Sequence, residues 1–145
     1  MNPIKEQIRS VMKEHGYRCK RTSWYRQVND VVQIFNIQKS VWGDQYYINL
    51  GINPFNKDIV FPKEYNFPPE YKFSVRFRVD DIIKDKILLN SLNFENDNPN
   101  RMQFILDLTE LCLSFLDCLS TRQAVIDYCR TYHPYLTVEF ASSDT

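Results

Sequence analysis

Ser23 to Ile52, continued by the run Phe73-Ser74-Val75-Arg76-Phe77-Arg78-Val79, is built from short segments in which apolar side chains recur at every second position. That period is the signature of β-strands with one buried face, and it excludes an all-helical bundle. Lys20 to Gln27 alternates and carries Trp24 and Tyr25, and Val28-Asn29-Asp30 makes a short turn into a longer strand, Val31 to Ser40. Gly43-Asp44 lies in the next turn, and Tyr46 to Asn53 forms a third strand. Phe73, Val75, Phe77 and Val79 mark a fourth. Turns this short join neighbours that pair antiparallel. The alternate positions are polar: Asn36, Gln38 and Ser40, then Tyr47 and Asn49, then Ser74, Arg76 and Arg78. The expectation is a sheet with one apolar face for helices and one face of amides, hydroxyls and guanidiniums.

Helical signals flank the strands. Asn2 caps a first helix, Pro3 takes its favoured first position, Ile4, Ile8, Val11 and Met12 form one stripe, and Gly16 ends it. After the fourth strand, Asp80 is expected to cap a helix reaching about Asn90. From Pro99 a long helix repeats Ile105, Leu108, Cys112, Phe115 and Leu119, widened by Leu106, Leu111, Leu113 and Leu116, so it should be the most buried. Ser120-Thr121-Arg122-Gln123 reads as a capping box opening a last helix, broken at His133-Pro134. Tyr135 to Phe140 alternates weakly, as a short edge strand would. Strands and helices that segregate in this way mean α+β. The sheet has about four antiparallel strands, with one N-terminal and two to three C-terminal helices packed on one face. Residues 1–141 form a single domain and 142–145 a tail, a size able to bury roughly 70% of the unfolded chain's surface.

Asn53 to Tyr71 interrupts the pattern with Pro54, Pro62, Pro68 and Pro69 among Phe55, Phe61, Tyr65, Phe67 and Tyr71. Structureless connections of this length are uncommon in compact domains and are often functional. Its aromatics either cover one end of the core or meet a partner, and Ile59-Val60-Phe61 is a candidate short strand.

The order of these features resembles the uncharacterised, largely bacterial family catalogued as domain of unknown function 4304. The resemblance rests on Gly16-Tyr17 after the first helix, Trp24-Tyr25-Arg26, Ile37-Gln38-Lys39-Ser40, Tyr46-Tyr47-Ile48-Asn49-Leu50-Gly51 and Val75-Arg76-Phe77-Arg78, and spans about residues 4 to 130. The Pro-aromatic loop departs from the compact link usual in that family. The resemblance implies the fold and no activity.

Several function classes are disfavoured. No stretch of about 18 apolar residues exists, so no membrane span is expected. Met1 to Glu6 lacks a signal-peptide core, so the cytoplasm is the expected location. The formal net charge is zero, which argues against bulk nucleic acid as partner, although residues 1–30 lean basic and the C-terminal third acidic. Cys19, Cys112, Cys118 and Cys129 have neither metal nor disulfide-scaffold spacing and read as reduced and structural. His15 suits a helix C-terminus, His133 precedes a proline, and Gly16, Gly43 and Gly51 are isolated, which excludes the common nucleotide loops. Asp80, Asp81 and Asp85 read as helix N-terminal charge. No catalytic residue, metal site or cofactor is expected.

The polar sheet face remains, as a partner surface or as a solvated face with cross-strand polar pairs. Asn36, Gln38, Ser40, Tyr47, Asn49, Arg76 and Arg78, with Phe61 and Tyr65 from the loop, are the candidate partner-binding residues. Guanidiniums bind carboxylates and phosphates bidentately, and amides and hydroxyls add direction. The first reading is therefore a non-catalytic protein-binding module, an immunity-type protein that neutralises a cognate bacterial toxin. The alternative is a hydrolase or nuclease holding phosphate on Arg76 and Arg78. A third is single-stranded nucleic acid stacking on Trp24, Tyr25 and Tyr47. The oligomeric state is left open by the sequence.

Overall fold

The computed structural model describes residues 3–41, 43, 45–62, 65–93 and 95–132. Helix α1 (Pro3–Glu14) precedes five strands, β1 (Arg18–Lys20), β2 (Ser23–Val28), β3 (Val31–Lys39), β4 (Tyr46–Pro54) and β5 (Val75–Arg78), and four helical segments follow, α2 (Val79–Ile82), α3 (Lys86–Asn90), α4 (Arg101–Cys118) and α5 (Arg122–Tyr132). The strands lie in chain order, each antiparallel to the next. The α+β architecture is as expected, with five strands rather than four. Among the described residues the extra strand is β1, most of which precedes the strand expected from Lys20: Arg21, at φ 59°, turns the chain so that Lys20 ends β1 and β2 begins at Ser23.

Local chemistry sets the helix ends. Gly16, at φ +83°, closes α1: its N–H donates to the Lys13 carbonyl and the Tyr17 N–H to the Met12 carbonyl, the paired bonds of a Schellman cap. Beyond β5 the expected continuous helix is broken. Val79–Ile82 makes one turn, Ile83 returns to extended backbone, and Asp85 rather than Asp80 caps the next helix, accepting from the N–H groups of Ile87 and Leu88. At α5 the cap is Thr121 rather than Ser120, because the Ala124 N–H donates to the Thr121 hydroxyl while Asp30 accepts from Arg122 N–H. Asn2 and the Tyr135 to Phe140 segment fall outside the described residues, as do the tail and the His133-Pro134 break.

The helix layer packs on the face made by Trp24, Val31, Phe35, Ile37, Ile48, Leu50, Ile52, Val75 and Phe77. Ile4, Ile8 and Met12 of α1 and Ile105, Leu108, Cys112, Leu113 and Leu116 of α4 close it. Leu111 stays 46% exposed, so the α4 stripe is narrower than all-round. Cys112 and Cys129 are buried, and burial pushes the Cys112 thiol up to about 12, whereas Cys118 is exposed, unlike the buried thiol expected there.

One polar residue stands in this interior. Gln33 is fully buried on β3, and its amide nitrogen donates to the carbonyls of Leu116 (2.6 Å) and Leu119 (3.1 Å) at the end of α4. Its carbonyl oxygen accepts from the Arg26 guanidinium (2.6 Å) and from the Tyr17 hydroxyl (3.2 Å). Arg26 also donates to the His15 carbonyl at the end of α1 and pairs with Asp117 at 2.8 Å, its guanidinium 4.6 Å from the Tyr17 ring centre. Burial holds the Tyr17 hydroxyl well above the usual phenol range, so it stays a donor. Free carbonyls at two helix ends are thereby satisfied by two sheet residues.

The opposite face is not uniformly polar. Phe61 and Phe67 of the Pro-aromatic loop pack on Tyr25, Val32 and Ile34 as a second apolar cluster, with Phe55 against it; Phe73 joins them rather than Val75 and Phe77, because β5 begins only at Val75. Tyr25 and Phe67 stack at 4.7 Å, and the Tyr25 hydroxyl donates to the Pro68 carbonyl. Ile59-Val60-Phe61 forms no strand. Each buried aromatic contributes roughly 1.5–3 kcal/mol, enough to hold a loop that lacks regular structure. Gly51 makes the approach possible: a Cβ there would stand 2.8 Å from Ile34 Cγ2 and 2.9 Å from Phe73 Cβ.

Two substitutions test this packing. Gly51→Ala forces the backbone-proximal Phe73 Cβ to move and should destabilise by about 1–3 kcal/mol. Gln33→Leu leaves the buried Leu119 carbonyl and Tyr17 hydroxyl without the bonds they make to Gln33, takes one bond each from Leu116 and Arg26, and should cost about 3 kcal/mol. Both should lower the urea midpoint without changing the slope, and a midpoint unchanged for Gln33→Leu would refute a supporting role for the buried network.

Candidate functional site: an amide and guanidinium face beside strand β5

Strand register brings the predicted residues into rows. Ser23, Asn36, Asn49 and Arg78 are successive cross-strand partners from β2 to β5, Gln38 and Tyr47 form the row on one side, and Tyr25, Ile34, Gly51 and Arg76 the row on the other. The boundary between the polar half and the loop-covered half falls on that last row, leaving Arg76 at the border.

The amides are coupled. Asn36 Nδ2 donates to Ser23 Oγ at 2.9 Å, and Asn49 Nδ2 donates to Asn36 Oδ1 at 3.0 Å and to Gln38 Oε1 at 3.3 Å. Both Asn49 amide protons are thus used, which leaves its oxygen as an acceptor and the Gln38 amino group as a donor. Asn36 is buried, Asn49 half-buried and Gln38 exposed, so the chain runs from the interior to the surface.

Both arginines are exposed, because alternation puts Val75 and Phe77 in the core and Arg76 and Arg78 on the other side. Arg76 Nη1 donates to the Tyr71 carbonyl at 2.8 Å, and the Arg78 guanidinium sits 5.4 Å from the Tyr47 ring centre. Among the described residues, neither has a carboxylate within 4.0 Å. A carbonyl and a ring position the two charges, and among the described residues no carboxylate forms an ion pair with either. Arg76, Arg78, Gln38, Asn49, Tyr71 and Lys72 line an open cleft of about 670 Å³, with Glu70 and Asp81 also on its wall.

Ser40 and Tyr47 meet at one end. Hydrogen bonding from the Ser40 side chain, then from Gln45, with a smaller effect of Arg78, holds the Tyr47 phenol below its usual range. Ser40 itself is buried.

The loop residues behave differently from a partner-binding surface as first drawn. Phe61 is 8% exposed, taken up by the second cluster, and Tyr65, 37% exposed, packs on Phe61 and Phe67. Among the described residues the loop's most exposed large apolar side chains are Val60, Tyr71 and Ile59 instead. Trp24 and Tyr25 are 1% and 4% exposed, so the stacking platform for single-stranded nucleic acid does not exist: Trp24 is in the helix-side core and Tyr25 is beneath Phe67. Lys72 is not among the sequence candidates and Tyr71 enters only as one of the loop aromatics, because a single turn at Glu70–Lys72 sets them beside the strand and no periodicity announces it. Gln33 had a signal, an amide at a register position otherwise held by Val31, Phe35 and Ile37. No group of three His, Cys, Asp or Glu side chains is placed to hold a metal among the described residues, and no described helix is long and apolar enough to cross a membrane.

The Tyr47 environment gives a direct check. In a spectrophotometric titration, with Tyr47→Phe as the subtraction control, the Tyr47 midpoint should lie below that of an ordinary tyrosine. Ser40→Ala should raise it, and Arg78→Ala should raise it by less; an unmoved midpoint in Ser40→Ala would contradict the bonding described.

No curated protein and no solved structure matches the chain. A family model does, over residues 8–112, from within α1 to the middle of α4, and so across the whole sheet and both of its faces. On that match the chain belongs to the family described as domain of unknown function (DUF4304).

Proposed function

We propose that this chain is a non-catalytic protein-binding module of the immunity type, acting in the bacterial cytoplasm to neutralise a cognate toxin by covering it. The observation that carries the reading is the pair Arg76 and Arg78: exposed, held in place by the Tyr71 carbonyl and the Tyr47 ring, and without a carboxylate partner among the described residues. Charges left uncompensated on a rigid strand attract an acidic surface and fix its orientation. A guanidinium already positioned loses less side-chain freedom on binding than a free one. Arginine with tyrosine is also the composition favoured at interface centres, and Tyr71, 61% exposed, lies beside the pair. The amide row adds neutral directional bonds.

The test is affinity capture from the source organism with the wild type and an Arg76→Glu/Arg78→Glu variant, both checked for fold by circular dichroism. The wild type should retain one stoichiometric partner that the folded variant loses. That partner, expressed alone, should arrest growth, and co-expression of the wild type should relieve it. Identical captures from both proteins, or a partner without toxicity, would contradict the reading.

A further inference from the structure

The spacing of the arginines says more about the partner than their charge does. Arg76 and Arg78 lie two residues apart on one strand and project to the same side, so their backbone origins are separated by about 6.8 Å. An extended peptide has the same two-residue repeat. Strand β5 is the last in the sheet order, and among the described residues no strand pairs with its outer edge. The cleft that both guanidiniums line is bounded also by Gln38 and Asn49 of the neighbouring strands and by the Glu70–Lys72 turn. We infer that the occupant of this cleft is an extended acidic segment of the partner protein, carrying carboxylates at alternate positions, one for Arg76 and one for Arg78.

The remaining groups fit such a segment. The Gln38 oxygen accepts from Asn49, and its amino group offers a further donor at the Arg78 end. Lys72 adds a cation to the lining, and exposed Tyr71 offers an amphipathic surface for the residue between the two acids. Glu70 and Asp81, also on the wall, repel a ligand of continuous negative charge, so a nucleic acid backbone or a polyphosphate fits worse than two carboxylates held apart. The backbone N–H of Arg78 is already used by Asp81, so recognition is through side chains more than through strand pairing.

This inference rests on the protein-binding reading, and the experiment separates the two. Two fluorescent peptides of identical composition are compared by anisotropy at near-physiological salt, one with two glutamates at alternate positions of a threonine-rich chain, the other with the glutamates adjacent. Equal net charge cancels unspecific attraction. The alternating peptide should bind about tenfold more tightly, with the difference lost in Arg76→Gln/Arg78→Gln and kept in a Lys13→Gln control on α1. Tripolyphosphate should compete no better than its charge predicts.

Equal affinity for the two peptides, no binding of either, or affinity unchanged in the double variant would each overturn the inference. So would tripolyphosphate as the tighter ligand. If the peptides fail while affinity capture still yields an arginine-dependent toxin, the binding reading stands and the extended acidic segment falls. If capture also fails, both fall.

Discussion

Everything on the helix side of this protein depends on an amide buried in the centre of the sheet. Gln33 is fully buried, and its side-chain bonds reach Tyr17 just past α1 and the last carbonyls of α4, with Arg26 on the neighbouring strand carrying the network further. In a low-dielectric interior such a network is strongly stabilising only when complete, and costly when one member is lost. Arg26 completes it by reaching the end of α1 and Asp117 of α4 together. The β2–β3 turn adds a second tether, since Asn29 donates to the Ser120 carbonyl and Asp30 accepts from the start of α5. The apolar layer supplies most of the burial; the polar bonds decide where the two long helices stop and how they sit on the strands.

With one face fixed, the other is free to be divided. An ordinary antiparallel sheet of this kind has a covered face and a wet face. Here the wet face is itself half covered, because Gly51 lets Phe73 lie against the strand and the loop aromatics follow it over Ile34 and Val32. The covered half shapes the uncovered one. It ends on the row that holds Arg76, and the turn leading into β5 supplies the carbonyl that positions that arginine. The Pro-aromatic loop therefore contributes to the candidate site mainly as a wall and a support, with Tyr71 and Lys72 as its groups in the cleft.

Much of this was legible in the residues. Strict alternation in Tyr46 to Ile52 and in Val75 to Arg78 assigned both strands and the sides of their side chains, and Gly16 marked the end of α1. The polar set Asn36, Gln38, Tyr47, Asn49, Arg76 and Arg78 does converge on one surface. What escaped the pattern depended on long-range packing. A left-handed Arg21 turns the chain from β1 into β2 without a glycine to announce it. Asp85 outcompetes Asp80 as a cap because Ile83 is pulled back to extended backbone, and Thr121 replaces Ser120 at a junction to which the β2–β3 turn also bonds. The central strand β3 is buried over Val31–Ile37 on both faces, so its residues look alike by hydropathy although they belong to two different clusters.

The central claim is a division of labour among arginines: Arg26 is locked inside the structure, while Arg76 and Arg78 are held in place yet open to a partner. Solvent exchange of the arginine Nε–H protons, measured by nuclear magnetic resonance on the native protein, tests it most directly. A slowly exchanging Arg26 signal is expected, because its Nε is buried, with fast exchange at the exposed Arg76 and Arg78. Protection at Arg76 and Arg78 comparable to that at Arg26 would contradict it, since those guanidiniums would then belong to the scaffold and the cleft would have no free charge to offer.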